Sequence, residues 1–134
     1  MNDYQQKREK QYLLPQTVYR QALYAVKDLN RLRRKLVFLM EESNNVNTMD
    51  PSKIWDNNRR VADSTGFLAS EIAYTEARIA SIESAFMEIP EKYRDGLEDK
   101  LVYDVPFSGD FNINTWKKWQ QILIYKVAVN LRLF

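Results

Sequence analysis

Two places in the chain combine residue types and spacing that could do chemistry. Lys117, Lys118 and Gln121 stand near the start of the C-terminal run Thr115-Trp116-Lys117-Lys118-Trp119-Gln120-Gln121-Ile122-Leu123-Ile124-Tyr125-Lys126-Val127-Ala128-Val129-Asn130-Leu131. Lysine suits phosphates and guanine edges and glutamine suits adenine, so on one face of a helix these three are candidate readers of duplex DNA. Arg31, Arg33, Arg34 and Lys35, with Lys27 close by, form the densest basic cluster, and they are candidates for holding phosphates. A third set, Glu71, Glu76 and Glu83, makes the outer face of another helical segment acidic. Together with Arg31 and Arg34 it offers a second use, the docking of a charged protein partner.

Other chemistry is missing. There is no cysteine and no histidine, which removes disulfides, thiol catalysis, zinc clusters and the commonest general base. With 3 glycines, a recognisable phosphate-cradling glycine loop is absent. Glu41-Glu42 and Glu98-Asp99 are adjacent pairs, which on a helix point about 100° apart and so do not share a site. The sequence therefore reads as a non-enzyme with no metal and no cofactor. No apolar run approaches the roughly 18 residues of a membrane span. Met1–Lys10 is polar, unlike a signal peptide, so the expected location is the cytoplasm, with no membrane partner.

Charge is uneven although the net value is only +2. Residues 1–60 carry 12 Lys/Arg against 7 Asp/Glu, whereas residues 61–134 carry 8 against 11. Within the second half, residues 111–134 hold four basic side chains and no acid. Basic surface is thus confined to the first half and the last helix, which permits a nucleic-acid partner without requiring one.

The elements that must position these residues follow from periodicity. Residues 1–14 read as a flexible polar tail. Pro15 suits a first helical turn, and Ala22, Ala25, Leu29, Leu32, Leu36 and Leu39 then step by three and four, which predicts a helix over 15–42. Ser43–Asp50 is rich in side chains that form local turns, and Asp50-Pro51 opens a short helix through Ile54 and Trp55 to about Val61. Leu68, Ile72, Thr75, Ile79, Ile82, Phe86 and Ile89 alternate in steps of four and three without error, which predicts a second long helix over 64–89. Pro90 ends it.

Glu91–Tyr103 reads as a further helix, with Gly96 as its weak point. Asp104–Asn114 is a connector of about ten residues, and the terminal helix starts from an N-cap at Asn114 or Thr115. Trp116, Trp119, Leu123 and Val127 recur at helical spacing as one buried stripe. The expected fold is all-α: a long antiparallel, coiled-coil-like hairpin over 15–89, with a small helix-turn-helix-like unit over 90–134. Leu29, Leu36, Ile72, Ile79 and Phe86 are the expected core, joined by Trp116, Trp119 and Leu123. Leu23, Val26, Val37, Phe38 and Met40 leave surplus apolar surface on the first helix, which predicts a homodimer.

Pro90, Tyr93-Arg94, Thr115-Trp116, Trp119, Ile124-Tyr125 and Val127-Ala128 together carry a resemblance. Over roughly residues 64–134 the chain resembles small bacteriophage proteins, distantly similar to phage late-gene transcription regulators (the ArpU/RinA-like group). Their helix-turn-helix is similar to sigma-factor region four. The pattern has basic residues where Gln120 and Ile122 stand here, so this helix has two fewer positive charges. The resemblance implies a phage-encoded DNA-binding transcriptional regulator in the bacterial host cytoplasm, with the last helix on DNA. The alternative is a phage-encoded protein-binding module, such as an inhibitor of a host defence nuclease, acting through its charged helical surfaces on a host protein.

Overall fold

A computed structural model describes residues 4–47 and 58–134. Among these the chain is all-helical, with no strand. A 3₁₀ turn at Lys10–Tyr12 precedes α1 (Gln16–Lys27), α2 (Leu29–Asn47), α3 (Asn58–Met87), α4 (Glu91–Leu101) and α5 (Ile113–Asn130). None of the described helices is long and apolar enough to cross a membrane. The short helix expected through Ile54 and Trp55 lies outside the described residues up to Asn58, where α3 begins.

The chain divides into two compact units, Arg31–Ile79 and a second made of Met1–Asn30 with Ala80–Phe134. The single helix expected over 15–42 is two helices that meet at Asp28, whose φ of −87° and ψ of −1° lie in the bridge region. Aspartate favours this break because its carboxylate opposes the negative end of α1 and its side chain competes for backbone hydrogen bonds. In contrast, Ser64-Thr65-Gly66 does not interrupt α3. Gly66 sits in open space within the helix, where it costs about 1 kcal/mol relative to alanine. That is too little to end a helix of 30 residues.

In the Arg31–Ile79 unit, Leu32, Leu39, Thr75 and Ile79 are buried. Thr75 loses its hydroxyl to no cavity: Oγ1 donates to the Glu71 carbonyl at 2.8 Å, so the one polar position in the repeat is satisfied within its own helix. Leu36 and Ile72, expected in the core, are half-buried. Lys35 Nζ meets Glu71 Oε2 at 3.4 Å. Both side chains keep about a third of their surface in water, so the pair contributes at most about 1 kcal/mol.

The second unit is organised around α5. Gln121, Ile122, Leu123 and Ile124 are consecutive and all buried, as are Trp116, Val127 and Ala128. Four consecutive positions sweep about 300° of a helix, so α5 is enclosed on nearly every side. The expected single stripe is therefore incomplete: it omitted Ile122 and Ile124, and it included Trp119, which is half-buried. Helix α1 packs against α5 through a broad face of Val18, Tyr19, Ala22, Leu23, Ala25 and Val26. Leu23 and Val26, expected as surplus surface, are thus fully used.

Helix α3 ends at Met87, and Pro90 stands as the N-cap of α4. Arg94 reaches back across this corner, donating from Nε to the Ile89 carbonyl at 2.7 Å and from Nη2 to the Met87 carbonyl at 2.9 Å. A cation on the orphan carbonyls of a helix end satisfies them and opposes the local dipole. Helix α4 buries Tyr93, Leu97 and Leu101.

The connector from Val102 to Asn112 is not a compact helix-turn-helix turn. It carries Phe107 and Phe111 onto Trp116, whose ring stacks on Phe107 at 4.9 Å and 6° and meets Phe111 edge-on at 5.4 Å. The Trp116 indole donates to the Ser108 carbonyl at 3.2 Å. The cap of α5 is Asn112, whose side chain accepts from the Asn114 amide at 2.8 Å. Asn114 and Thr115, the expected caps, lie inside the helix.

Gly96, the expected weak point of α4, has a packing reason. A Cβ there would fall at 2.7 Å from Trp116 Cζ3, inside van der Waals contact. The ring is packed against Phe107, Phe111 and Tyr93, which limits its movement. Gly96→Ala gains about 1 kcal/mol of helix propensity and loses about 1–3 kcal/mol or more to overpacking. The clash wins because the obstacle is a confined ring. The urea midpoint of Gly96→Ala is expected to fall with an unchanged m-value; a rise would show that Trp116 is free to move.

Candidate functional site

Residues 4–14 were expected as a flexible tail, and here the structure differs most from the sequence reading. They form a strap tied down by two glutamine side chains. Gln5 donates from Nε2 to the Leu14 carbonyl at 2.8 Å and accepts from the Leu14 amide at 2.7 Å. Gln121 does the same to Glu9: Nε2 donates to its carbonyl at 3.0 Å, and Oε1 accepts from its amide at 3.2 Å. A primary amide offers one donor face and one acceptor face. It can therefore replace a neighbouring strand as the partner of one residue's N–H and C=O. Arg8 Nη2 donates to Asn114 Oδ1 at 2.6 Å, and Tyr12 packs edge-on against Tyr125 at 5.2 Å.

Asn114, Gln121 and Tyr125 are seven and four residues apart, so they share one face of α5. Lys117 and Lys118 lie within about 60° of that face. The face expected to read DNA is thus the face on which the strap lies. Gln121 is 1% exposed and both ends of its amide are engaged by Glu9. It does not present a free edge to a base, which corrects its expected role.

The two lysines diverge to either side of the strap. Lys117 lines a cavity with Tyr4 and Gln6. Lys118 rests over the Trp119 ring at 5.3 Å and lines a cleft with Glu9, Glu88 and Lys126, where Lys126 pairs with Glu88 at 3.7 Å. Sequence periodicity offered one signal of this arrangement. Gln121 is followed at once by the apolar run Ile122-Leu123-Ile124, and an amide drawn into such a core must be bonded inside.

The other expected residues belong to the Arg31–Ile79 unit, except Glu83. Arg31 and Arg34 are exposed and Arg33 is half-buried. Lys35 is half-buried and pairs with Glu71 at 3.4 Å, a weak tie that a phosphate would compete with. Glu76 is exposed, while Glu83 is half-buried in the other compact unit. Glu71 and Glu76, five residues apart, point about 140° from each other on the helix. The expected acidic face is not continuous.

This unit has a feature that the charge reading undervalued. Val37, Phe38 and Met40 on α2, and Phe67 and Tyr74 on α3, are between 41% and 67% exposed. On α2, Val37 lies opposite Leu32 and Leu39, with Phe38 and Met40 flanking it on either side. Phe67 and Tyr74, seven residues apart, form a stripe on the side of α3 away from Thr75 and Ile79. In the other unit, exposed large apolar side chains lie in the strap, the connector and the terminus (Tyr4, Leu13, Tyr103, Val105, Phe134) and, more scattered, on helices (Tyr24, Met87, Ile113, Val129).

Comparison with protein-family models, curated proteins and solved structures finds no match for this chain. Its reading rests on its own residues.

Replacing Gln121 by Leu keeps the volume but removes both partners of Glu9. Glu9 is half-buried, so water recovers part of the loss, and the expected cost is about 1–3 kcal/mol. Chemical denaturation checks the cost. A change within about 0.5 kcal/mol would place Gln121 among neutral surface positions.

Proposed function

We propose that this chain is a protein-binding module whose working surface is the Arg31–Ile79 unit, read as an antiparallel hairpin of α2 and α3. The observation that carries the reading is the exposed apolar set Val37, Phe38, Met40, Phe67 and Tyr74 on regular helices. Apolar surface of this kind on a soluble helix is stabilised by being covered by another protein. The first partner is a second copy of the chain, pairing these stripes in a homodimer. Arg31 and Arg34 border Val37 and Phe38 and would set register and partner choice. A phage-encoded module directed at a host protein, such as a defence nuclease, is the biological role that fits this surface and the resemblance together.

The regulator reading is weaker on physical grounds. Using Lys117, Lys118 and Gln121 on DNA requires the strap to leave α5, breaking both Gln121–Glu9 bonds and the Arg8–Asn114 bond. Each bond left unmade in a partly buried place costs about 1–3 kcal/mol. That cost would be subtracted from any DNA affinity.

Sedimentation at micromolar concentration tests the proposal. The expected result is a species of twice the 16.0 kDa chain mass, reduced to the single-chain mass by Phe38→Glu with Tyr74→Glu at unchanged helical circular dichroism. A wild-type protein that is a single-chain species, and that binds random duplex DNA with a steep salt dependence, would overturn it in favour of the regulator.

A further inference from the structure

The unit that contains α5 holds a cavity of about 420 Å³, within the size range of small-molecule sites. Three lysines from three helices line it: Lys27 at the end of α1, Lys100 at the end of α4 and Lys117 near the start of α5. Among its described lining residues Asp104 is the one carboxylate. Among the described residues none of these lysines is in an ion pair. Lys27 lies over the Tyr24 ring at 5.8 Å and Lys100 over the Phe107 ring at 5.7 Å. The lining thus carries two more positive than negative charges. Gathering like charges costs free energy that a dianion would offset.

The rest of the lining describes the body of that dianion. Ile113, exposed, and the edge of Leu101 supply apolar contact, with Leu23 buried beneath. Gln6 and Gln120 add two amides, each with a donor and an acceptor. Neither amide is hydrogen-bonded to another described residue. Lysine clusters bind phosphate as point charges, and glutamine amides read hydrogen-bonding edges.

From this juxtaposition of three lysines, an apolar floor and two open amides, we propose that the cavity is a binding site for a 5′-mononucleotide. The phosphate lies among Lys27, Lys100 and Lys117, and the base rests against Ile113 and the edge of Leu101 with its own edge on Gln6 and Gln120. A simple dicarboxylate would neutralise the charge but leave the floor and the amides unused. This site is separate from the surface of the Arg31–Ile79 unit and stands without it.

Isothermal titration of the full chain with AMP, GMP, CMP and UMP tests the site, alongside inorganic phosphate and the matching free nucleosides. The expected result is saturable binding of at least one mononucleotide with Kd below about 1 mM. That binding should be at least about tenfold tighter than phosphate alone or nucleoside alone. Lys100→Gln with Lys117→Gln should weaken it by at least about tenfold, while Lys118→Gln, across the strap, should leave it unchanged. The site is overturned if no mononucleotide saturates, or if phosphate alone binds as well as the nucleotide. It is also overturned if the double variant, still helical by circular dichroism, binds like wild type. The comparison of nucleotide, phosphate and nucleoside uses wild-type protein and so decides the matter even if the double variant does not fold.

Discussion

A glutamine amide at the centre of an apolar helix must find partners for both its ends, and that requirement orders much of the α5 unit. Gln121 is surrounded by Ile122, Leu123 and Ile124, all buried. An amide left unbonded there would cost several kcal/mol, more than most single interactions can supply. The main chain of Glu9 provides the acceptor and the donor at once. Fixing one residue of the strap to one position on α5 sets the register of its neighbours. Arg8 then reaches Asn114, and Tyr12 reaches Tyr125. Gln5 repeats the device locally on Leu14, closing the strap before α1 begins.

The remaining faces of α5 are covered by different chemistry. Near its start the cover is aromatic, with Tyr93, Phe107 and Phe111 against Trp116 and Tyr93 stacked on Trp119 at 5.3 Å. Gly96 makes room for the largest of these rings. Further along, α1 supplies small and branched residues, and Asn130 donates to the Ser81 carbonyl at 3.0 Å. No buried side-chain nitrogen or oxygen among the described residues lacks a partner. Helix α5 is a structural centre, whereas α2 and the first part of α3 keep large apolar residues in water.

Local patterns in the sequence revealed those parts of the fold that local forces determine. The all-helical class, the corner at Pro90, the burial of Ile79, Ile82, Phe86 and Ile89, and the importance of Trp116 all follow from periodicity and from proline geometry. Polar composition made residues 4–14 look like a tail because what holds them is on α5, more than a hundred positions away. No periodicity registers such a bond. The same blindness affected the site residues. Lys117, Lys118 and Gln121 have the spacing of a reading face, but spacing does not reveal that another segment already occupies it. Asp28 could have been recognised as a break from its poor fit at a helix C-terminus. Leu36 and Ile72 kept the heptad spacing yet are only half-buried, because spacing sets which side a residue faces and not how much partner surface covers it.

The central claim is that α5 is an enclosed helix locked to the strap through Gln121. Residue-resolved amide hydrogen exchange of the full chain addresses it most directly, because exchange measures the free energy of opening at each peptide. The account predicts that the amides of Ile122 to Ala128 exchange only through global unfolding. It also predicts that the Glu9 amide, in a segment with little regular structure, is protected together with them. A Glu9 amide exchanging at the rate of an open peptide, with α5 opening locally, would contradict it.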